Sequence, residues 1–356
     1  MSKLSTLDFE GQTFFIGIDV HHAKWVITIR TGGMELKTGM FEPSPEKLAK
    51  YLRNNYPGGK FRSVYEAGFC GFWIHRELLR HGIENIVVNP SDVPTNNKER
   101  MNKRDKVDSR KLSRELENCS LKGIYIPDEW PQQLRSLCRL RRESVGNMTA
   151  TKNRIKGHLY GYGITLPPNT ECSHWSGAFI KWIEKNCVAK GGPFSDYLEF
   201  CIQDLKEEKK RIAAIMRKIR EYVKSPSSDK IIRYLLTIPG IGVTAAVTIY
   251  TEIMDINRFP DLDRLCSFVG FVPTCHSSGD RESVGDITPR RNKYLRYIII
   301  EAAWMAIRKD PVLLKVYSDL LKRMKGQHAI IRIAKKLLSR IRYVWKNQQP
   351  YTLCAN

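Results

Sequence analysis

The sequence predicts an α/β domain at the N-terminus, a helical middle region and a mainly α-helical C-terminal domain. Short apolar runs alternate with amphipathic segments through residues 1–128, which is typical of strands interleaved with helices. Apolar residues then recur at helical spacing through 129–228, and helical patterns return in 229–356. With 356 residues, 42% of them hydrophobic, the chain can bury a core in each of these parts.

The N-terminal domain begins with a predicted β-hairpin, formed by two β-rich runs at 14–18 and 25–29 around a polar turn. The elements predicted after it are an amphipathic segment at 45–56, a strand at 61–65, a helix at 72–81 and a strand at 85–89. Strands and helices therefore alternate, as in an α/β domain.

Two long helices are predicted in the middle region, at 131–162 and 194–223. The segment between them contains Pro, Gly and Ser, so the helices can fold back on one another or pair with a partner chain as a coiled coil. Residues 225–228 are a predicted linker. From Ile231 onward we expect mainly helices, the last with an apolar side and basic residues on its other faces.

The charge balance predicts a polyanionic partner. The chain has 59 Lys and Arg residues against 37 Asp and Glu residues, a formal net charge of +22. Such an excess is typical of proteins that bind nucleic acid. A basic membrane-binding protein would usually carry an exposed apolar helix or a lipidation signal as well, and the N-terminus has neither.

Other classes are disfavoured by what the sequence lacks. It contains no stretch of roughly 20 apolar residues and no signal-peptide pattern, so we expect a cytoplasmic protein with no membrane partner. Its nine cysteines are odd in number and form no CxxC pair, which favours reduced thiols over structural zinc or disulfides.

Four carboxylates are candidates for a metal site. Asp19 follows the first predicted strand, Glu66 follows a later one, and Asp105 and Asp108 are spaced to share one face of a helix. Together they suit two divalent cations about 3.5–4 Å apart, as used in phosphodiester chemistry. Taken singly, the same residues are also consistent with a turn, a surface carboxylate and a helix-capping pair.

The context of these residues resembles that of a known family, the DEDD transposases of the insertion sequence one-ten family, which includes Piv-type DNA invertases and bridge-RNA-guided recombinases. The resembling segments are Gly17–Val20, Tyr65–Gly68 with Gly71–Trp73, Asn89–Pro90 and Asp105–Leu112. The resemblance implies a RuvC-like, RNase H-type fold and a Mg²⁺-binding tetrad of Asp19, Glu66, Asp105 and Asp108. It also implies donor and target DNA, a guide RNA encoded beside the gene, and a homo-oligomer, a dimer or tetramer.

A glycine-containing turn near the start of the C-terminal domain has the form of a helix-hairpin-helix. In residues 236–246, Gly240 and Gly242 allow a tight turn before the next helix. Backbone N–H groups of such a turn can hold a DNA phosphate, although a plain turn packed in the core fits equally well.

The segment after Phe268 resembles the second domain of the same family. There the resemblance implies a serine nucleophile just before a glycine, which maps to Ser278 with Ser277 as the alternative. By composition alone, a Ser-Ser-Gly loop is usually a flexible turn. No general base is assigned, although His276 and Asp280 lie near in sequence.

Basic residues around this segment could clamp a transferring phosphate, or form a solvated face. They are Arg281, Arg290, Arg291 and Arg296. The family usually has glycine before the asparagine, where this chain has Arg291 before Asn292, so the turn there is open to question.

Three functions are compatible with these patterns. A recombinase that cuts and rejoins DNA would use both the tetrad and Ser278. A metal-dependent nuclease of the Holliday-junction resolvase type would need only the tetrad, and a catalytically silent nucleic-acid-binding protein would need neither. The effect of Ser278→Ala separates the first two.

Overall fold

The computed structural model describes residues 8–94, 105–225, 228–278 and 281–352, with the side chains of 105–106 and 274–286 outside the description. The chain divides into two compact units, 1–126 and 127–356. The predicted further division near residue 228 stays a prediction. Within the described ranges, no helix combines the length and the apolar composition needed to cross a bilayer.

A five-stranded mixed sheet forms the centre of the first unit. Its strands are β1 (Thr13–Val20), β2 (Trp25–Thr31), β3 (Met34–Phe41), β4 (Lys60–Glu66) and β5 (Glu84–Val88), in the order β3-β2-β1-β4-β5. The first three strands pair antiparallel, and β4 pairs parallel to both β1 and β5. The predicted hairpin and the two later strands are confirmed, whereas β3 is an addition to the predicted elements.

Helices cover both faces of this sheet. They are α1 (Pro45–Asn55), α2 (Trp73–Arg80) and α3 (Asp105–Glu117). Residues such as Phe14, Ile16 and Ile18 face one way from β1 and pack in a core that includes Leu48 of α1 and Leu78 of α2. On the opposite face, α3 packs across β1, β2 and β4.

The second unit begins with two long helices that pack side by side. The elements are α4 (Glu129–Gly161), α5 (Gly177–Asn186) and α6 (Pro193–Lys224). Leu159, near the end of α4, shares a core with Leu198 near the start of α6. Leu134 at the start of α4 instead joins Ile219 at the end of α6. The two helices are therefore antiparallel within one chain, while pairing with a partner chain stays a prediction.

The rest of the second unit is a helical cluster with one β-ribbon. Its elements are α7 (Lys230–Leu235), α8 (Val243–Ile253), α9 (Leu262–Val269), β6 (Pro273–Ser278), β7 (Arg281–Ile287), α10 (Lys293–Lys309), α11 (Pro311–Leu321) and α12 (Gly326–Asn347). The apolar side predicted for the last helix is buried, as at Ile333 and Ile341. The β6–β7 ribbon is a departure from the mainly helical prediction.

Candidate active site

Asp19 and Glu66 lie side by side at one end of the sheet. Strands β1 and β4 run parallel in a register whose last pair is Ile18 with Tyr65. Asp19 and Glu66 are the next residue of each strand. Since a parallel register brings equivalent positions together, both carboxylates begin at the same edge and on the same face.

The face that they share is the one covered by α3. A Cβ atom on Gly17 would come within 2.5 Å of the Ser113 amide nitrogen in α3, so β1 and the helix are in backbone contact there. Val64, two residues before Glu66, packs in a cluster with Leu112 of α3. Because side chains two apart share a face of a strand, Asp19 and Glu66 are on the α3 side.

A lysine links Glu66 to Asp108. The Lys111 ammonium lies 3.8 Å from Glu66 Oε1 and 3.6 Å from Asp108 Oδ1. Asp108 and Lys111 are one helical turn apart in α3. The structure thus gathers Asp19, Glu66 and Asp108 around one end of the sheet. Asp105 is the first residue of α3, and its side chain lies outside the description.

Two neighbouring contacts organise the loops beside these carboxylates. The His21 Nε2 atom lies 3.0 Å from Asp19 Oδ2, so the turn after β1 folds back over its own strand end. The Tyr65 hydroxyl donates to the Gly71 carbonyl oxygen at 2.9 Å. Burial raises the pKa of Tyr65, so the phenol stays a proton donor and holds the loop that follows Glu66.

The donor set fits a hard divalent cation in its chemistry, because carboxylate oxygens are the ligands that Mg²⁺ prefers. Among the described side chains, however, no three His, Cys, Asp or Glu residues are close enough together to hold a metal ion. A cationic group already faces two of the carboxylates, since Lys111 contacts both Glu66 and Asp108.

The serine proposed as nucleophile ends a strand. Ser278 is the last residue of β6 and pairs with Arg281, the first residue of β7, while Ser277 pairs with Glu282. Composition alone would place these serines in a flexible turn, whereas the structure places both in a paired strand.

The glycine turn packs closely against another helix. Gly240 has a φ of +91°, and a Cβ there would lie 2.6 Å from the Ala302 carbonyl oxygen of α10. Glycine is thus required by local conformation and by packing. Gly242 precedes α8 with open space around its Cβ position. A phosphate contact at this turn stays a prediction.

The arginines after the ribbon differ in their surroundings. Arg290 and Arg291 are exposed. Arg296 donates instead to the carbonyl oxygens of Gly270 and Thr288, and burial lowers the pKa of its guanidinium. The family usually has glycine where this chain has Arg291, yet the start of the following helix is intact. The Asn292 side chain accepts hydrogen bonds from two backbone amides at the start of α10. Arg296 thus hydrogen-bonds to backbone carbonyl groups within its own unit, which the sequence did not predict.

An ion pair between a buried carboxylate and a half-buried arginine, in the second unit, was not predicted from the sequence. Glu252 of α8 is 3% exposed and accepts from Arg139 of α4 at 2.7 and 2.8 Å. The Asn292 amide donates to the same carboxylate at 2.9 Å. Arg139 and Glu252 are 113 positions apart in the sequence. No local pattern connects residues so distant, so the sequence contains no signal for this ion pair.

Two family models match the chain. A model described as Transposase, for DEDD transposases of IS110, matches residues 16–164 and so includes the whole tetrad. A second, described as Transposase IS116/IS110/IS902 family, matches residues 232–318 and includes the β6–β7 ribbon.

Relatives extend the match to most of the chain. The transposase for insertion sequence element IS1533 of Leptospira borgpetersenii is 24% identical over 351 residues, covering 94% of this chain and 96% of that protein. The transposase for insertion sequence element IS1111A of Coxiella burnetii is 25% identical over 296 residues, covering 81% and 78%. This chain therefore belongs to the IS110 family of DEDD transposases, enzymes that cut and rejoin DNA.

Proposed function

We propose that this transposase has a RuvC-like, RNase H-type N-terminal domain that binds Mg²⁺ through the tetrad, and that Ser278 is its nucleophile. The observation that carries the proposal is the shared edge of β1 and β4, where Asp19 and Glu66 meet the α3 face bearing Asp108. The order β3-β2-β1-β4-β5 supports the fold assignment. When bound, such a cation activates an attacking oxygen and stabilises a leaving one.

The chain's own groups have distinct tasks in this scheme. The tetrad orients the DNA strand end at the sheet edge. The Ser278 oxygen attacks a phosphorus atom and forms a Ser–O–P bond as the bond to a deoxyribose oxygen breaks. The serine hydroxyl gives up its proton and the leaving deoxyribose oxygen gains one, so the step balances without a further reactant. Attack by a DNA hydroxyl on the same phosphorus reverses the step and frees the serine. A phosphodiester bond is thus conserved for rejoining.

The tetrad is tested by Asp108→Asn and Glu66→Gln in a strand-exchange assay with DNA binding measured in parallel. We expect both variants to lose recombination and keep DNA binding, because each removes one carboxylate charge with little change in shape. Glu46→Gln in the first turn of α1 is the matched control. Wild-type recombination by soluble Asp108→Asn would rule out the metal assignment.

The serine is tested by trapping. We expect a DNA adduct that survives denaturation in the wild type and in Ser277→Ala, and no adduct in Ser278→Ala. An adduct in Ser278→Ala that disappears in Ser277→Ala would transfer the role to the neighbour. Strand cutting without an adduct, undisturbed in both variants, would favour the resolvase-type nuclease.

The partners complete the proposal. We infer that a guide RNA selects donor and target DNA and that the protein acts in the cytoplasm as a homo-oligomer, a dimer or tetramer. The formal charge of +22 supports binding to nucleic acid, whether DNA or RNA. RNA that co-purifies with the protein, and whose removal by nuclease stops recombination, is the expected result. Light scattering gives the oligomer number, and a monomer competent for recombination would contradict this part.

A further inference from the structure

Lys111 is a buried cation inside the proposed metal site. Its side chain is only 8% exposed, and its ammonium faces carboxylates on two different elements, Glu66 of β4 and Asp108 of α3. Burial of a lysine is costly unless opposite charges compensate it. The surrounding carboxylates are therefore the reason that this ammonium can stay at the sheet edge.

The distances indicate shared rather than exclusive pairing. At 3.8 Å from Glu66 and 3.6 Å from Asp108, the ammonium is beyond normal hydrogen-bond length for either, yet nearly equidistant from both. Carboxylates brought together repel one another unless a cation lies among them. The ammonium supplies that charge from within the chain.

We propose that Lys111 is the resident counter-ion of the tetrad, which holds Glu66 and Asp108 towards a common point and competes with the divalent cation for them. The inference rests on the proposed function, since it concerns the same metal site. It makes Lys111 a positioning residue that acts through the carboxylates.

The competition has a measurable sign. Lys111→Met keeps most of the side-chain length and removes the charge, so the divalent cation meets a more negative site. We expect Mn²⁺ to bind about tenfold more tightly to Lys111→Met than to the wild type. A residue needed only for packing would have the opposite effect, because damage to the site weakens metal binding.

The experiment is a titration of the full-length protein with Mn²⁺. Calorimetry measures the Mn²⁺ affinity, and thermal unfolding measures the rise in Tm that Mn²⁺ causes. Lys111→Arg should bind Mn²⁺ nearly as the wild type does, since it keeps the charge. Lys47→Met removes an exposed lysine that pairs with Glu42, and it should leave the affinity unchanged. Lys111→Met should show the largest Mn²⁺-induced rise in Tm.

The outcomes separate the lysine role from the metal site itself. One outcome overturns the counter-ion role alone. In it the wild type binds Mn²⁺, Asp108→Asn weakens that binding, and folded Lys111→Met binds Mn²⁺ no more tightly than the wild type does. No Mn²⁺ binding by the wild type overturns the metal site and the role with it. If Lys111→Met does not fold, Lys111→Gln takes its place. Failure of both to fold even with Mn²⁺ present overturns the proposal, which expects the metal to replace the missing charge.

Discussion

A side chain on Gly17 would overlap the carbonyl oxygen of Ser109, so β1 and α3 meet there backbone to backbone. A hydrogen bond of 2.9 Å between the hydroxyls of Thr28 and Ser109 holds the same part of α3 against β2. The position of Asp108, one residue earlier in the helix, therefore depends on the absence of a side chain two residues before Asp19.

Gly17→Ala should consequently destabilise the first unit by roughly 1–3 kcal/mol, because the inserted methyl group forces the helix away from the strand. Strand exchange should fall further than DNA binding as Asp108 moves. Urea denaturation and a recombination assay measure the two effects. Gly39→Ala in β3 is the control, since the nearest atom to its Cβ position is 3.8 Å away. Equal stability of the two variants would contradict the backbone contact.

Glu252→Ala should destabilise the second unit by roughly 3 kcal/mol, because it leaves the Arg139 guanidinium and the Asn292 amide without their acceptor. Thermal unfolding of the full-length protein measures this loss. Glu143→Ala, on the exposed side of α4, should change the Tm little. A Glu252→Ala protein as stable as Glu143→Ala would show that the pair contributes nothing.

Thiol labelling should separate Cys119 from Cys138. Burial raises the pKa of Cys138 to about 11, so its thiol stays protonated and unreactive at pH 8. Cys119 is exposed and should react first with a thiol reagent. Mass spectrometry of the labelled peptides checks the order. Labelling of Cys138 at the rate of Cys119 in the native protein would mean that α4 opens from α8.

DNA affinity should fall steeply with salt, since a net charge of +22 implies many phosphate contacts and release of their counter-ions. A protein with six or more such contacts loses roughly a thousandfold in affinity between about 50 and 200 mM salt. Fluorescence anisotropy over this range gives the slope. Affinity that stays constant would contradict electrostatic binding.

Local sequence patterns were sufficient to predict the strands and helices that bury one face. Strands β1 and β2 were predicted from their runs of apolar and β-branched residues, and the structure buries most of these apolar side chains. Strand β3 was missed because none of its residues is buried, so its formation depends on the ladder with β2. The β6–β7 ribbon was missed for a related reason, since cross-strand pairing and not hydrophobic alternation defines it.

The candidate site could be predicted only as far as its carboxylates. Asp19 and Glu66 were recognisable as strand-end residues, and Asp108 by its spacing from Asp105. Lys111 lies in the same segment, but its position in the sequence indicates no role. A lysine next to an arginine on a polar helix is ordinarily a surface residue, and only the packing of α3 on the sheet buries Lys111.

Asn292 shows how a helix start can depend on a distant helix. Its side-chain oxygen accepts from the amides of Tyr294 and Leu295, while its nitrogen donates to Glu252. Aspartate caps helices as well as asparagine does, yet here it would set a second carboxylate against the first. Among residues equivalent for local folding, only one that can both accept and donate suits this position. The identity of this capping residue is therefore determined by tertiary structure as well as by the local turn.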